Sequence, residues 1–286
     1  MPGVPSLLPL PNWRCFSRPG KGSIVNTNSE TIINRRPTFK VGGKVRGMVG
    51  GIVWIPILIL FCVLPVHANP KVNSVVCRPD LPATHRHELV ERLREITGWR
   101  DLDFDEHGAL HSGGAHTGGS AMARELLAAA ISGEQFLILE DASGRSDVAF
   151  CRVVEGRWIK DEASKPPAHI VLIDFADFTR VTGDRDALAA FNVGWGVLHE
   201  ISHVVHDSLD PKHPGEVGDC EHLINRMRRE CDLAERAEYF FTFYPGAERS
   251  EFKTRYVRLA FKQPRSTTGK QRRLWLMWDA TAVGGL

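Results

Sequence analysis

Val197–Asp207 reads "VLHEISHVVHD", and its centre, His199-Glu200-Ile201-Ser202-His203, governs the reading of the whole chain. On a helix, positions i and i+4 lie on one face, so two imidazoles there can reach a single ion. Glu200 is turned about 100° from His199, poorly placed as a ligand but well placed to touch a water on that ion. Two imidazoles beside a carboxylate that takes a proton is what a zinc-dependent hydrolase requires. The chain has 12 His among 286 residues. That composition predicts roughly 0.03 chance occurrences of the pattern.

Working outward, "GDRDALAAFNVGWGVLHEISHVVHDSLD" predicts one long helix over 184–208, capped by Asp184. With His199 as origin, His203 falls at about 40°, and Asn192 and Asp210 at about 20°. Phe191, Val197, Leu198, Ile201 and Val205 fall between about 160° and 280°. The histidines thus line a polar stripe opposite an apolar one, which weakens the competing reading of two hydrogen-bonded core histidines. Gly194 and Gly196 each cost about 1 kcal/mol relative to Ala in mid-helix. A neighbour must approach closely there, a second helix being preferred to a strand.

Before this helix, Leu81–Ile96 places Leu89, Val90, Leu93 and Ile96 at helical spacing behind Thr84. Ser120–Ser132 predicts a second helix ended by Gly133. Between them, "DEHGALHSGGAHTGGS" (Asp105–Ser120) reads as a loop, and its histidines are too irregularly spaced to favour a metal site. "QFLILED" and "DVAFCRVV" flank "ASGRS", predicting a hairpin of Gln135–Glu140 with Asp147–Val154; "HIVLIDF" (His169–Phe175) is a third strand. After "PKHPGEVGD" a helix is expected from Asp219 towards Phe241, then a C-terminal hairpin around "PRSTTGKQ". The sum is one α+β domain over 69–286. Its expected form is a small, mostly antiparallel sheet packed on the long helix.

"VLHEISHVVHD" resembles the active-site helix of the zincin metallopeptidases. The resemblance implies zinc (Zn2+) held by His199 and His203, with Glu200 as general base. It also implies an upstream strand, the place of "HIVLIDF", that docks the substrate backbone. A catalytic zinc needs a third protein ligand and an open position. On a straight helix Asp207 lies about 12 Å along the axis from His199, too far to share the ion. The metzincin pattern requires Gly at 206 and His at 209, where His206 and Leu209 stand, so that subclass is set aside. In the gluzincin subclass a Glu opening the next helix is the third ligand, which the resemblance assigns to Glu221. An acidic residue four positions later supports a ligand His in that subclass; here Asn225 stands there. His222, Asp210 and His206 stay open as alternative ligands. Asp207 is a candidate support for a ligand, and His206, His222, Tyr239 and Tyr244 are candidates for holding an oxyanion. The implied function is a zinc metallopeptidase acting on a peptide or protein. The alternatives are a non-catalytic metal-binding or adhesion protein on this scaffold, and a zinc amidase acting on a cell-wall component.

Charge narrows the partners. Residues 1–68 hold eight basic residues and one acid, leaving 28 basic and 33 acidic residues in 69–286. An acidic body without a basic run argues against nucleic acid. Ile52–Leu64, "IVWIPILILFCVL", is an apolar run preceded by Lys44 and Arg46 and followed by "VHA". It reads as a signal-peptide core within 48–68, with Asn69 the first mature residue. The expectation is an exported protein, periplasmic or secreted, or one anchored by this segment with the catalytic domain outside. Any membrane contact is through that segment, if it is not removed. Residues 1–47 read as a disordered or untranslated extension. Beyond the leader stand Cys77, Cys151, Cys220 and Cys231. They could form two disulfides by three pairings or stay as buried thiols.

Overall fold

The computed structural model describes residues 73–158, 165–244, 255–263 and 271–284. The extension expected over 1–47 and the leader expected over 48–68 lie outside the described residues. Along the chain run β1 (Val75–Cys77), α1 (Ala83–Thr97), β2 (Asp103–Phe104), β3 (Leu110–His111), α2 (Ala121–Ser132), β4 (Phe136–Asp141), β5 (Cys151–Gly156) and β6 (Ala168–Ile173). Next come α3 (Phe175–Thr179), β7 (Thr182–Gly183), α4 (Arg185–Ala189), α5 (Val193–His206) and α6 (Asp219–Glu230). The chain continues through β8 (Glu235–Arg236), β9 (Thr242–Phe243), β10 (Tyr256–Lys262) and β11 (Arg273–Asp279). Among the described residues no helix is long and apolar enough to cross a membrane.

Four strands form a mixed sheet in the order β1-β4-β6-β5. β1 and β6 flank β4 in parallel, and β5 runs antiparallel to β6 at the edge. Two expectations change here. β4 and β5 do not form a hairpin, because β6 inserts between them: Val171 pairs Leu139 on one side and Val153 on the other. The sheet beside the site is therefore mostly parallel rather than mostly antiparallel. The run "HIVLI" explains the insertion, since a continuous apolar stretch suits a strand covered on both faces and paired on both edges. Asp147–Phe150, expected as strand, is a bend in which Phe150 takes a left-handed φ of 60° and donates its N–H to Asp177.

The second sheet is antiparallel. β10 pairs β11 from Tyr256↔Asp279 to Lys262↔Arg273, with β8 and β9 added to β10 and β7 to β11. Alternation decides its packing face: Val257, Leu259, Phe261, Leu274, Leu276 and Trp278 are buried. Trp278 meets Phe150 edge-on at 5.3 Å, whereas Trp275 lies beside the guanidinium groups of Arg258 and Arg273.

α5 is shorter than the helix expected over 184–208. The backbone leaves helical geometry at Asn192 (φ −145°, ψ 176°), whose side chain accepts from the N–H groups of Gly194 and Trp195. Capping these otherwise unpaired donors starts a new helix in place of continuing α4. α6 also stops early, at Glu230 rather than near Phe241, and Asp232 at φ 55° turns the chain towards β8. α5 buries Trp195, Val197, Leu198 and Ile201 against α1, α2, α6, β5 and β6. Each such side chain contributes about 1.5–3 kcal/mol. Its glycines face close neighbours: a Cβ on Gly194 would stand 2.9 Å from Arg92 Cβ on α1. One on Gly196 would stand 2.9 Å from Cys151 Sγ on β5. A helix crowds one side of α5 and a strand the roughly opposite side.

Candidate metal centre

The last turn of α5 shapes the site. The helix stops at His206, and Asp207 adopts a left-handed φ of 52° and ψ of 30°. Asp visits this region more readily than most residues because its short polar side chain bonds locally. The reversal brings Ser208–Asp210 back onto the histidines. His203 Nδ1 lies 2.7 Å from the Ser208 carbonyl oxygen. A carbonyl only accepts, so Nδ1 carries a proton, and whenever the ring is neutral its lone pair lies at Nε2. That Nε2 is buried without a hydrogen-bond partner and faces Asp210 Oδ2 at 3.6 Å. His199 Nε2 meets Asp210 Oδ1 at 3.2 Å.

Cys220, at the start of α6, joins them. One atom from each of His199, His203, Asp210 and Cys220 lies within 4.8 Å of the others. The residues fit a metal. An orphaned buried imidazole nitrogen, a second imidazole and a shared carboxylate are donors that zinc accepts. The straight-helix distance that separates Asp207 from His199 does not apply to Asp210, because the helix ends between them.

Glu221, the expected third ligand, is engaged elsewhere. It is 1% exposed and pairs with Arg228 and with Arg236, the latter at 3.2 Å. Its contact with the centre is to His199 Nδ1 at 3.1 Å, the ring nitrogen turned away from Asp210. A carboxylate neutralised by two guanidinium groups thus faces the imidazole on the side away from Asp210. Asn225 departs from expectation too. It exchanges hydrogen bonds with the Arg236 backbone and accepts from Arg228, which pins β8 to α6 instead of supporting an imidazole.

Glu200 is buried, and its Oε2 accepts the Val153 N–H at 2.8 Å. Val153 belongs to β5, so the edge strand beside Glu200 is β5. The strand expected there, "HIVLIDF", is β6 and lies inside the sheet. Of the oxyanion candidates, Tyr239 is half-buried, stacks on His199 with ring centroids 6.0 Å apart, and hydrogen-bonds Asp210. His206, His222 and Tyr244 are exposed. Asp207 is exposed as well and contributes through its backbone conformation.

The electrostatics favour positive charge at this point. Burial works against a charged His199, yet Cys220, Asp210 and Glu221 outweigh it and hold its pKa well above the usual imidazole range. His203 is likewise opposed by burial but raised by Cys220 and Glu200, to about 9. Burial would raise Asp210 and Cys220; the two imidazoles overcome it and lower both. Glu221, also opposed by burial, is held well below the carboxylate range by Arg228 and Arg236. Carboxylates and a thiol thus crowd both imidazoles, surroundings that suit a cation.

No family model, curated protein or solved structure matches this chain. Local geometry therefore carries the functional argument. The sequence pattern leaves Asp210 as one open alternative and points to no metal role for Cys220. The available signal for Asp210 was an Asp able to take a left-handed turn at the end of the histidine helix. The four described cysteines are free.

Proposed function

We propose that this chain is a zinc-dependent hydrolase of zincin type that cleaves peptide bonds, with His199, His203 and Asp210 holding the metal. The supporting observation is that two imidazoles one helical turn apart converge on one carboxylate, with Glu200 adjacent in sequence. When bound, zinc supplies a water acidified towards neutral pH and a polarising charge for the carbonyl under attack.

The chain's own groups do the remaining work. The Ser208 carbonyl fixes the His203 tautomer, and Glu221, clamped by two arginines, orients His199. Glu200 anchors one oxygen on Val153 N–H, leaving the other to take a proton from the attacking water and pass it to the leaving amine. Tyr239, on giving up its bond to Asp210, is the hydroxyl that would donate to the developing oxyanion. The outward edge of β5 offers backbone groups to an extended peptide.

The test is metal analysis and peptide hydrolysis by the full-length chain and by Glu200→Gln. The variant should keep its zinc and lose about 10²–10⁴-fold in turnover. Stoichiometric zinc with no hydrolysis of any peptide would favour the non-catalytic metal-binding alternative.

A further inference from the structure

The geometry points to a fourth protein donor: we propose that the Cys220 thiolate ligates the same ion, so that the resting centre is closed by sulfur. This rests on the reading of His199, His203 and Asp210 as a metal site. Cys220 is fully buried, yet its surroundings are not those of a thiol used as a small apolar filler. Its Sγ lies 2.6 Å from Ser202 Oγ and 3.3 Å from the His199 carbonyl. It shares the 4.8 Å donor cluster with both imidazoles and the Asp210 carboxylate. The other described cysteines serve differently: Cys77 lies against Gly108, Cys151 packs on Gly196, and Cys231 meets the Ile96 carbonyl.

Two nitrogens, one oxygen and one sulfur make a four-donor set suited to zinc. On binding, the thiol S–H bond breaks, a sulfur–metal bond forms, and the proton leaves to solvent. Ser202 Oγ, which donates to the His199 carbonyl at 2.9 Å, is the polar atom beside that sulfur. Four protein donors fill a tetrahedral centre, whereas a hydrolytic one keeps a position for water. Water must therefore displace Cys220 or enter as a fifth donor, so the thiolate slows turnover without abolishing it.

The experiment loads the full-length chain with cobalt(II) and records its absorption. The expected result is one cobalt per chain with an intense thiolate-to-cobalt charge-transfer band in the near ultraviolet. Cys220→Ser should keep the cobalt and lose that band, whereas Cys77→Ser, Cys151→Ser and Cys231→Ser should keep both. Should Cys220→Ser fail to fold, X-ray absorption of the zinc-loaded wild type reads the same point, with a Zn–S distance of about 2.3 Å. Cobalt bound without the band, or zinc without sulfur scattering, overturns the Cys220 assignment and leaves the hydrolase reading standing. An absence of bound metal overturns both.

Discussion

His203 donates its Nδ1–H to the Ser208 carbonyl at 2.7 Å, so five residues of chain set both the tautomer and the aim of this imidazole. The contact exists because Asp207 reverses the backbone immediately beyond α5. Helix end, turn and carboxylate act as one device.

The turn can be tested directly. Asp207→Gly should leave stability and zinc content near wild type, because Gly takes a left-handed φ freely. Asp207→Val should destabilise by about 1–2 kcal/mol. By moving Ser208–Asp210, it should also weaken zinc about tenfold or more. Zinc titration beside thermal melting reads both, and unchanged affinity in Asp207→Val would show that the reversal does not position Asp210.

Asp210 and Glu221 should separate by their different roles. Asp210→Ala removes a donor and should abolish stoichiometric zinc. Glu221→Gln should weaken zinc by about 10–100-fold, as loss of a group behind a ligand does. It should also destabilise by about 3–5 kcal/mol, since Arg228 is left buried without its counter-charge. The opposite order of zinc loss would restore Glu221 as the ligand.

The metal-free protein should show a distinctive pH dependence. His203 is raised from 6.5 to about 9. Its contribution to stability is therefore complete below about 6.5 and fades as pH rises through about 9. Thermal melts of stripped protein should decline across that window, while zinc-loaded protein should lack this decline. Zinc uptake near neutral pH should release protons, seen with an indicator dye in weak buffer. Stoichiometric uptake without proton release would count against His203 Nε2 as a donor.

Gly194→Ala should lower the melting temperature despite a helix-propensity gain of about 1 kcal/mol. The new methyl would meet Arg92 Cβ and Ile96 Cδ1, each at 2.9 Å, and overpacking of this kind costs about 1–3 kcal/mol. Zinc content should not change. An increase in stability would mean that α1 yields at this contact.

The histidine pair was legible because helical spacing is local information carried by five residues. The seven-residue step from His203 to Asp210 was not, since it depends on Asp207 adopting a conformation that sequence periodicity does not encode. Strand existence could be read from the apolar pattern of Phe136–Asp141 and Ala168–Ile173, but pairing could not. The turn-like Ala142–Ser146 suggested adjacent partners, whereas β6 takes the place between β4 and β5 through contacts distant along the chain. The Arg228–Glu221–Arg236 cluster was hidden for a similar reason. Nothing in the sequence pattern links Arg228 and Arg236 to Glu221; packing against the Ala190 carbonyl, Trp195 and Phe261 encloses Arg228, and β8 brings Arg236 alongside.

All four donors fall between His199 and Cys220. Its residues therefore lie close together in sequence, and all of them are synthesised before β10 and β11. A cation captured at that stage would act as a template, committing the α5–α6 hairpin to its native crossing while the second sheet is still unmade.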